Sequence, residues 1–461
     1  VVFLWFGAWK NSMSCYAPLW FKENHKKYPR AYTQTGKPLE IASAFSENVY
    51  QADNRAFSAW LQHIAAIDKE EGTVIMVQIE NEIGMLEDAR DYSQEADKAF
   101  RAPVPTELMN YLQKNKKTLH SQMIKKWESQ GCKKQGTWQE VFGADIYTDE
   151  IFMAWHYARY VERMAQTARS IYNVPLYVNA AMNSRGRKPG EYPSAGPLAH
   201  LIDVWRCGAP NIDILAPDLY DDGFTNWVAQ YKLHNNPLFI PEIRLTDNNG
   251  VRAFYIFGEH DAIGISPFSI EDGSDSSDSP LVQSYARLKE LMPLLTEYQG
   301  KGMMKGVLFN QKDKERIITD DDLSITCRHY FTLPWDPRAT DGSAWPEGGG
   351  LILKLSKNEY IVAGSGIVLE FTKASEKASS EIRKQLGEDG FALSNEQIKT
   401  KKERFQGMRC GIGHVDEVEV DKEGKFRYIR RLNGDQDHQG RHVRISVGEF
   451  KILHVRLYEY Q

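Results

Sequence analysis

VIMVQIENEIG, residues 74–84, is a largely apolar run that ends abruptly in Glu80, Asn81 and Glu82. Val74 to Val77 reads as a strand buried on both faces, the pattern of a parallel sheet covered by helices. A strand this dry should end in two carboxylates only where its tip opens into a polar site. In an α/β barrel the C-terminal strand tips are where active sites sit.

Five further short apolar runs share the pattern of strand, loop, then helix. They are Val1 to Trp9, Pro175 to Asn179, Ile212 to Leu219, Pro237 to Ile240 (followed by Pro241 and Glu242) and Ala262 to Phe268. Strands alternating with helices imply βα units and a parallel sheet. Between them, residues 54–66 are expected to form a helix capped by Asn54, with Phe57, Trp60, Leu61 and Ile64 on one face. A second helical stripe runs through Ala154, Trp155, Ala158, Val161, Ala165 and Ala168. Residues 281–296 form a third, which Pro293 should kink or end. Residues 85–105 and 106–150 read as insertions, and the first of them follows the Glu82 strand directly, where it can shape a cleft wall.

After about residue 300 the pattern becomes LILKL, YIVAGSG, IVLEFT, RYIRRL, HVRISV and FKILHVRLYEY, separated by Gly and charge. Short alternating segments of this kind imply an antiparallel β-sandwich. The expected organisation is therefore a barrel-type domain over 1–300 and a β-domain over 301–461. The charged stretch 375–403 reads as a surface insertion with some helix.

Composition narrows the function. The chain has 461 residues and a net charge of −5, with no Lys/Arg block or zinc-finger spacing, so nucleic acid is excluded as an expected partner. The five cysteines (Cys15, Cys132, Cys207, Cys327, Cys410) are scattered and odd in number, which argues against a disulfide framework or a structural zinc site. No apolar segment approaches membrane-spanning length. VVFLWFGAWKN lacks a basic leader and a cleavage site and reads as a strand that starts at once, so the chain is expected to begin inside a domain. Eleven Trp suit either a large core or an aromatic sugar cleft.

Glu82 and Glu242 terminate two dry strands with two recognisable strands between them, so that their strands are n and n+3. Such tips face each other across the mouth of a barrel, and two opposed carboxylates are the equipment of glycosidic bond hydrolysis. For each Glu alone a plain ion pair is the simpler reading, and Arg244 stands two residues from Glu242. Alternation puts Glu80 on the Glu82 face, as a sugar-hydroxyl acceptor or a polar support. Trp205, Asn179, Tyr255 and Phe268 lie near strand ends and read mainly as packing, with Asn179 the one placed where hydroxyls would be. Asp218 and Asp221 flank Tyr220 and read as solvated loop acids.

QIENEIG resembles the acid/base motif of glycoside hydrolase family 35, within the wider barrel superfamily that carries catalytic carboxylates on strands 4 and 7. The resemblance covers residues 1 to about 300 and extends to DARDYSQEADKAFRAPVP and GISPFSIE. It implies a TIM (β/α)8 barrel that this chain enters at strand 3, without strands 1 and 2. It implies Glu82 as general acid/base, Glu242 as nucleophile and Asn81 as donor to the sugar 2-hydroxyl. Trp9, Lys10 and Asn11 would stand at the mouth, and Tyr220 would touch sugar or support those that do. The sequence departs from familiar members at Ile83, where Tyr is common, and in IPEIRL around Glu242.

The function expected is a retaining, exo-acting β-galactosidase-like hydrolase that acts on a carbohydrate without cofactor or metal. Its candidate substrate-binding residues are Glu80, Asn81, Trp9, Lys10, Asn11, Asn179 and Tyr220. Two alternatives are a metal-dependent barrel hydrolase using Glu80, Glu82 and Asp218, and a carbohydrate-binding protein without catalysis. A periplasmic or secreted location is expected, and homo-oligomerisation stays open. Trp335 and Trp345 are the residues of the β-domain that suit a carbohydrate contact.

Overall fold

The computed structural model describes residues 1–183, 186–376 and 407–461. Its strands are β1 (Val2–Lys10), β2 (Arg30–Tyr32), β3 (Pro38–Ala42), β4 (Met76–Asn81), β5 (Leu176–Ala181), β6 (Ile214–Leu219), β7 (Phe239–Ile243), β8 (Gly264–Pro267) and β9 (Met304–Phe309). They continue with β10 (Glu315–Asp320), β11 (Leu323–His329), β12 (Gly348–Ser356), β13 (Glu359–Ser365), β14 (Ile367–Lys373), β15 (Arg409–Val420), β16 (Phe426–Leu432), β17 (Val443–Ile445) and β18 (Lys451–Tyr460). The helices are α1 (Leu19–Lys22), α2 (Glu47–Asp68), α3 (Gln94–Arg101), α4 (Thr106–Lys114), α5 (Ser121–Glu128) and α6 (Trp138–Phe142). They continue with α7 (Ile146–Ile171), α8 (Ile202–Gly208), α9 (Phe224–Gln230), α10 (Asn249–His260) and α11 (Pro280–Tyr298).

All six expected βα strands form, and they lie in one parallel sheet of order β1-β4-β5-β6-β7-β8. Each strand pairs with the next in sequence, so the sheet winds in one direction with no switch point, as the strands of a (β/α) barrel do. Among the described residues β1 and β8 are its edges. Glu82 follows β4 and Glu242 lies on β7, which is the expected n to n+3 spacing. One face of the sheet packs under α2, α7 and α8 through Val77, Ile79, Phe57, Leu61, Val161 and Trp205. The other carries a small plug of Met76, Tyr177, Ile214, Ala216 and Phe239.

Helix α2 starts earlier than expected. Ser46 caps it by accepting the Val49 N–H, and Asn54 lies in its interior. The buried stripe begins at Val49 and Tyr50 and continues through Asp53, Phe57, Leu61 and Ile64, which extends the amphipathic face by nearly two turns. Helix α11 likewise runs through Pro293 to Tyr298 instead of ending there. Residues 30–42 add a short antiparallel hairpin, β2-β3, and the two insertions carry α3 to α6.

The chain divides into two compact units, Val1–Arg244 with Ile263–Phe268, and Leu245–Ala262 with Ser269–Gln461. The boundary expected near residue 300 therefore falls inside the second unit, because α10 and α11 group with the β-domain. The physical reason is visible where α10 meets β9: side chains at Gly258 and Gly306 would strike the Lys305 and Tyr255 carbonyls, so the two backbones approach as only glycine permits.

The second unit carries the expected antiparallel sheets, of order β10-β11-β14-β17 and β16-β15-β18-β13-β12-β9. Both sheets feed one core, with Ile325, Cys327 and Leu369 from the first and Val307, Val362 and Val455 from the second. That is a sandwich. Strands β9, β10, β11 and β15 were not read from the sequence. Trp335 is half exposed and stacks on His438, and Trp345 stacks on His329. The stretch 375–403 lies outside the described residues apart from its first two. No helix among the described residues is long and apolar enough to cross a membrane.

Candidate active site

Period-two alternation brings most of the site together. On β5, Tyr177 and Asn179 share a face, and on β6 so do Ile214, Ala216 and Asp218. The apolar members of this set form the plug, and the polar ones stand at the C-terminal tips. Asn179 is fully buried and bridges two neighbours. Its Oδ1 accepts the Glu82 N–H at 3.0 Å, and its Nδ2 donates to Asp218 Oδ2 at 2.6 Å.

Glu82, Asp218 and Glu242 converge, each offering a carboxylate oxygen within 4.8 Å of the others. Asp218 is fully buried and belongs to this cluster, so its reading as a solvated loop acid is corrected. The signal was present in the sequence, since Asp218 continues the inward period of Ile214 and Ala216. Burial, and then the charges of Glu242 and Glu82, hold its carboxyl well above the usual carboxylate range. Burial, and then the charge of Glu242, also raise Glu82, while a hydrogen bond with Asp218 and the Lys10 cation act the other way. Protons leave two carboxyls in such contact in steps that belong to the pair and not to either residue. Glu242 is less buried and accepts the Tyr220 hydroxyl at 2.8 Å. A shift in pairing between Ile240 and Ile243 re-aims this part of β7.

The Glu82 backbone is fixed from several sides. Its carbonyl accepts both the N–H and the hydroxyl of Ser12, each at 3.1 Å. Glu80 and Glu82 both have left-handed backbones, with φ of 56° and 47°. That conformation is rare for residues other than glycine and marks a strained turn. It also breaks the alternation expected to put Glu80 beside Glu82.

Glu80 is consequently not at the mouth. It is fully buried, and its Oε2 accepts the Trp9 N–H at 2.7 Å. It faces Asp53 of α2, whose oxygens accept from Trp5 Nε1 at 3.0 Å and the Tyr160 hydroxyl at 2.8 Å. Burial, then the Asp53 charge and hydrogen bond, hold the Glu80 carboxyl well above its ordinary range, and burial raises Asp53 too. Glu80 is thus a support behind the strand. The metal set Glu80, Glu82 and Asp218 is not assembled, and the acids that meet are Glu82, Asp218 and Glu242. Trp9 is also corrected: it is fully buried, with its ring against Tyr160 at 4.8 Å and Tyr157 at 5.6 Å.

Lys10, Asn81 and Asn11 lie beside Glu82. Lys10 Nζ donates to Asn81 Oδ1 at 2.8 Å, and the exposed Asn11 donates its N–H to the Asn81 carbonyl at 3.1 Å. Tyr220 is 38% exposed, and the ring of Phe268 meets it edge-on at 6.3 Å. Arg244 donates to the Tyr220 carbonyl at 2.9 Å. Trp205 is core, and its indole N–H donates to the Ala195 carbonyl. Tyr255 belongs to α10, and Asp221 accepts from Trp227 Nε1.

Residues 281–444 match a family model described as "Domain of unknown function (DUF5597)". No curated protein matches the sequence. Among solved structures, the chain is similar to a β-galactosidase from the psychrophilic Marinomonas ef1, with 12% identity, a TM-score of 0.39, and coverage of 61% of this chain and 49% of that one. It is similar to a catalytic mutant of Gan42B, a GH42 β-galactosidase from G. stearothermophilus, with 14% identity, a TM-score of 0.38 and coverage of 61% and 46%. It is also similar to a β-mannanase from the blue mussel Mytilus edulis, with 12% identity, a TM-score of 0.27 and coverage of 52% and 59%. The chain spans about half the length of these structures, and none of the three is named as a family 35 enzyme.

Proposed function

We propose that this site is that of a retaining glycoside hydrolase acting on a terminal β-linked sugar of the galactose type. The observation that carries the reading is the pairing of Glu82 and Glu242 across the tips of β4 and β7, with carboxylate oxygens within 4.8 Å. A retaining pair stands about 5–5.5 Å apart, whereas an inverting pair leaves roughly 6.5–9.5 Å for a water.

The surroundings divide the roles. Glu82 sits over the dry plug beside a negative charge, so it is the carboxyl that keeps its proton to give to the leaving oxygen. Glu242 is the less buried of the two and is oriented by the Tyr220 hydroxyl, which suits attack on the anomeric carbon. The bond to the aglycone breaks as Glu242 forms a glycosyl ester and Glu82 yields its proton. Glu82 then takes a proton from water, which attacks the same carbon and releases Glu242. Asp218 and Asn179 hold Glu82 in place through its side chain and its N–H. Asn81 has its amide oxygen occupied by Lys10, so its amide N–H groups are what it offers to a sugar hydroxyl.

The test is a panel of aryl glycosides assayed with the wild type and Glu242→Ala. Activity on a β-galactoside or a close relative that falls at least about 1,000-fold in the variant is the expected result. Equal activity of the two proteins on every substrate would overturn the assignment.

A further inference from the structure

Beside the β2-β3 hairpin lies a cavity of about 510 Å³ that the glycosidase reading does not use. It is built from the connections that follow β1, which carries Lys10, and β4, which Glu82 follows. Its wall contains Arg30, Lys26 and Lys27, with Glu95 as the acidic residue among its lining. Arg30 and Tyr32 alternate with Ala31 on β2. Ala31 turns into the core, and Arg30 and Tyr32 both face the cavity.

Arg30 is the unusual member. It is only 8% exposed, and its Nη1 has no hydrogen-bond partner. Among the described residues it forms no ion pair, and the acid that acts on it, Glu40, is an exposed residue within 3.9 Å of Lys22. Burying a guanidinium without an acceptor costs several kcal/mol on the order-of-magnitude scale for such groups, so buried Arg is normally paired. Lys26 and Lys27 at the rim are exposed and also without ion pairs among the described residues.

Two helix starts complete the wall. Ser46 caps α2 by accepting the Val49 N–H, and Ser93 caps α3 by accepting the Ala96 N–H. Each cap satisfies one first-turn amide, and the remaining first-turn amides have no partner within the helix. Ser46 and Asn48 of the first start, and Ser93, Gln94 and Glu95 of the second, line the same cavity. Two positive helix ends and three cations around one space favour a negatively charged guest.

We propose that this cavity is an oxyanion-binding site, taking a sulfate, phosphate or carboxylate group on Arg30, with Lys26, Lys27 and the starts of α2 and α3 around it. The planar guanidinium suits two-point contact with such a group. The oxyanion can arrive as a free inorganic ion or as the substituent of an acidic saccharide, and the two sources are separable.

The test is calorimetric titration of the whole protein at fixed ionic strength. One arm uses inorganic sulfate and inorganic phosphate. The other uses galactose 6-sulfate and galacturonic acid, with galactose as the neutral control. Saturable binding of an anionic probe is expected, weakened about tenfold or more by Arg30→Gln. The double variant Lys26→Ser with Lys27→Ser, at exposed positions, should weaken it several-fold and serves if Arg30→Gln does not fold. Equal affinity for the inorganic and sugar-borne anions identifies a free-ion site, and tighter binding of the saccharides identifies a substituent site. No saturable binding of any anionic probe, or binding unchanged in the folded variants, would overturn the proposal.

Discussion

Glu82 and Glu242 are chemically the same group, and their surroundings make them different. Glu82 is 8% exposed, and the charge of Glu242 acts with burial to raise its carboxyl. Removing that charge in Glu242→Gln should favour the ionised form of Glu82, so its titration midpoint falls relative to the wild type. Carbon-13 NMR of labelled Glu side chains reads this directly, and an unchanged or raised midpoint would contradict the coupling. Asp218 shows how a residue of this kind escapes a reading of sequence. As a lone acid before a tyrosine it looks solvated, and only the inward period of β6 carries it to full burial beside Glu82. Glu80 fails in the opposite way. Alternation presumes an extended backbone, and the left-handed turns at Glu80 and Glu82 rotate one carboxyl behind the strand and leave the other in front.

At the scale of elements, the tip of β4 is held from behind by the buried pair of Glu80 and Asp53, with Trp5 and Trp9 of β1 and Tyr160 of α7 as its hydrogen-bond partners. Both carboxyls are raised in the fold, so they hold protons at pH values where the unfolded chain has lost them. Their contribution to stability is complete below the ordinary carboxylate range and is lost as pH rises through the raised folded-state values. Glu80→Gln imitates the protonated acid, keeping an oxygen for the Trp9 N–H and adding a donor toward Asp53. Urea unfolding at about pH 5 and about pH 8 should therefore show a smaller loss of stability with rising pH in this variant than in the wild type. The same loss in both proteins would show that the pair holds no proton. The strands themselves were legible in the sequence because parallel strands covered on both faces are continuously apolar. The start of α2 was not, because Ser46 and Val49 precede the stretch where the stripe is dense, and a helix begins where its cap and first apolar contact agree.

At the scale of the molecule, a singly wound parallel sheet presents its strand tips on one side, and Glu82, Asp218 and Glu242 stand at or just past such tips. The second unit is a sandwich whose family match carries no functional description. Three converging acids also raise the question of a cation. The carboxylate mechanism needs none, so activity on an aryl β-galactoside should survive exhaustive chelation within about twofold, whereas Lewis-acid or metal-hydroxide chemistry would lose nearly all of it. Loss of activity on chelation, restored by a divalent ion, would move Glu82, Asp218 and Glu242 into the role of ligands.

A double displacement by Glu242 and Glu82 would leave its record in the stereochemistry of the released sugar. Proton NMR of the sugar first released from an aryl β-galactoside, recorded before mutarotation, should show the β-anomer, with the α-anomer appearing only later. The α-anomer appearing first would mean a single displacement and would contradict the roles assigned to the pair.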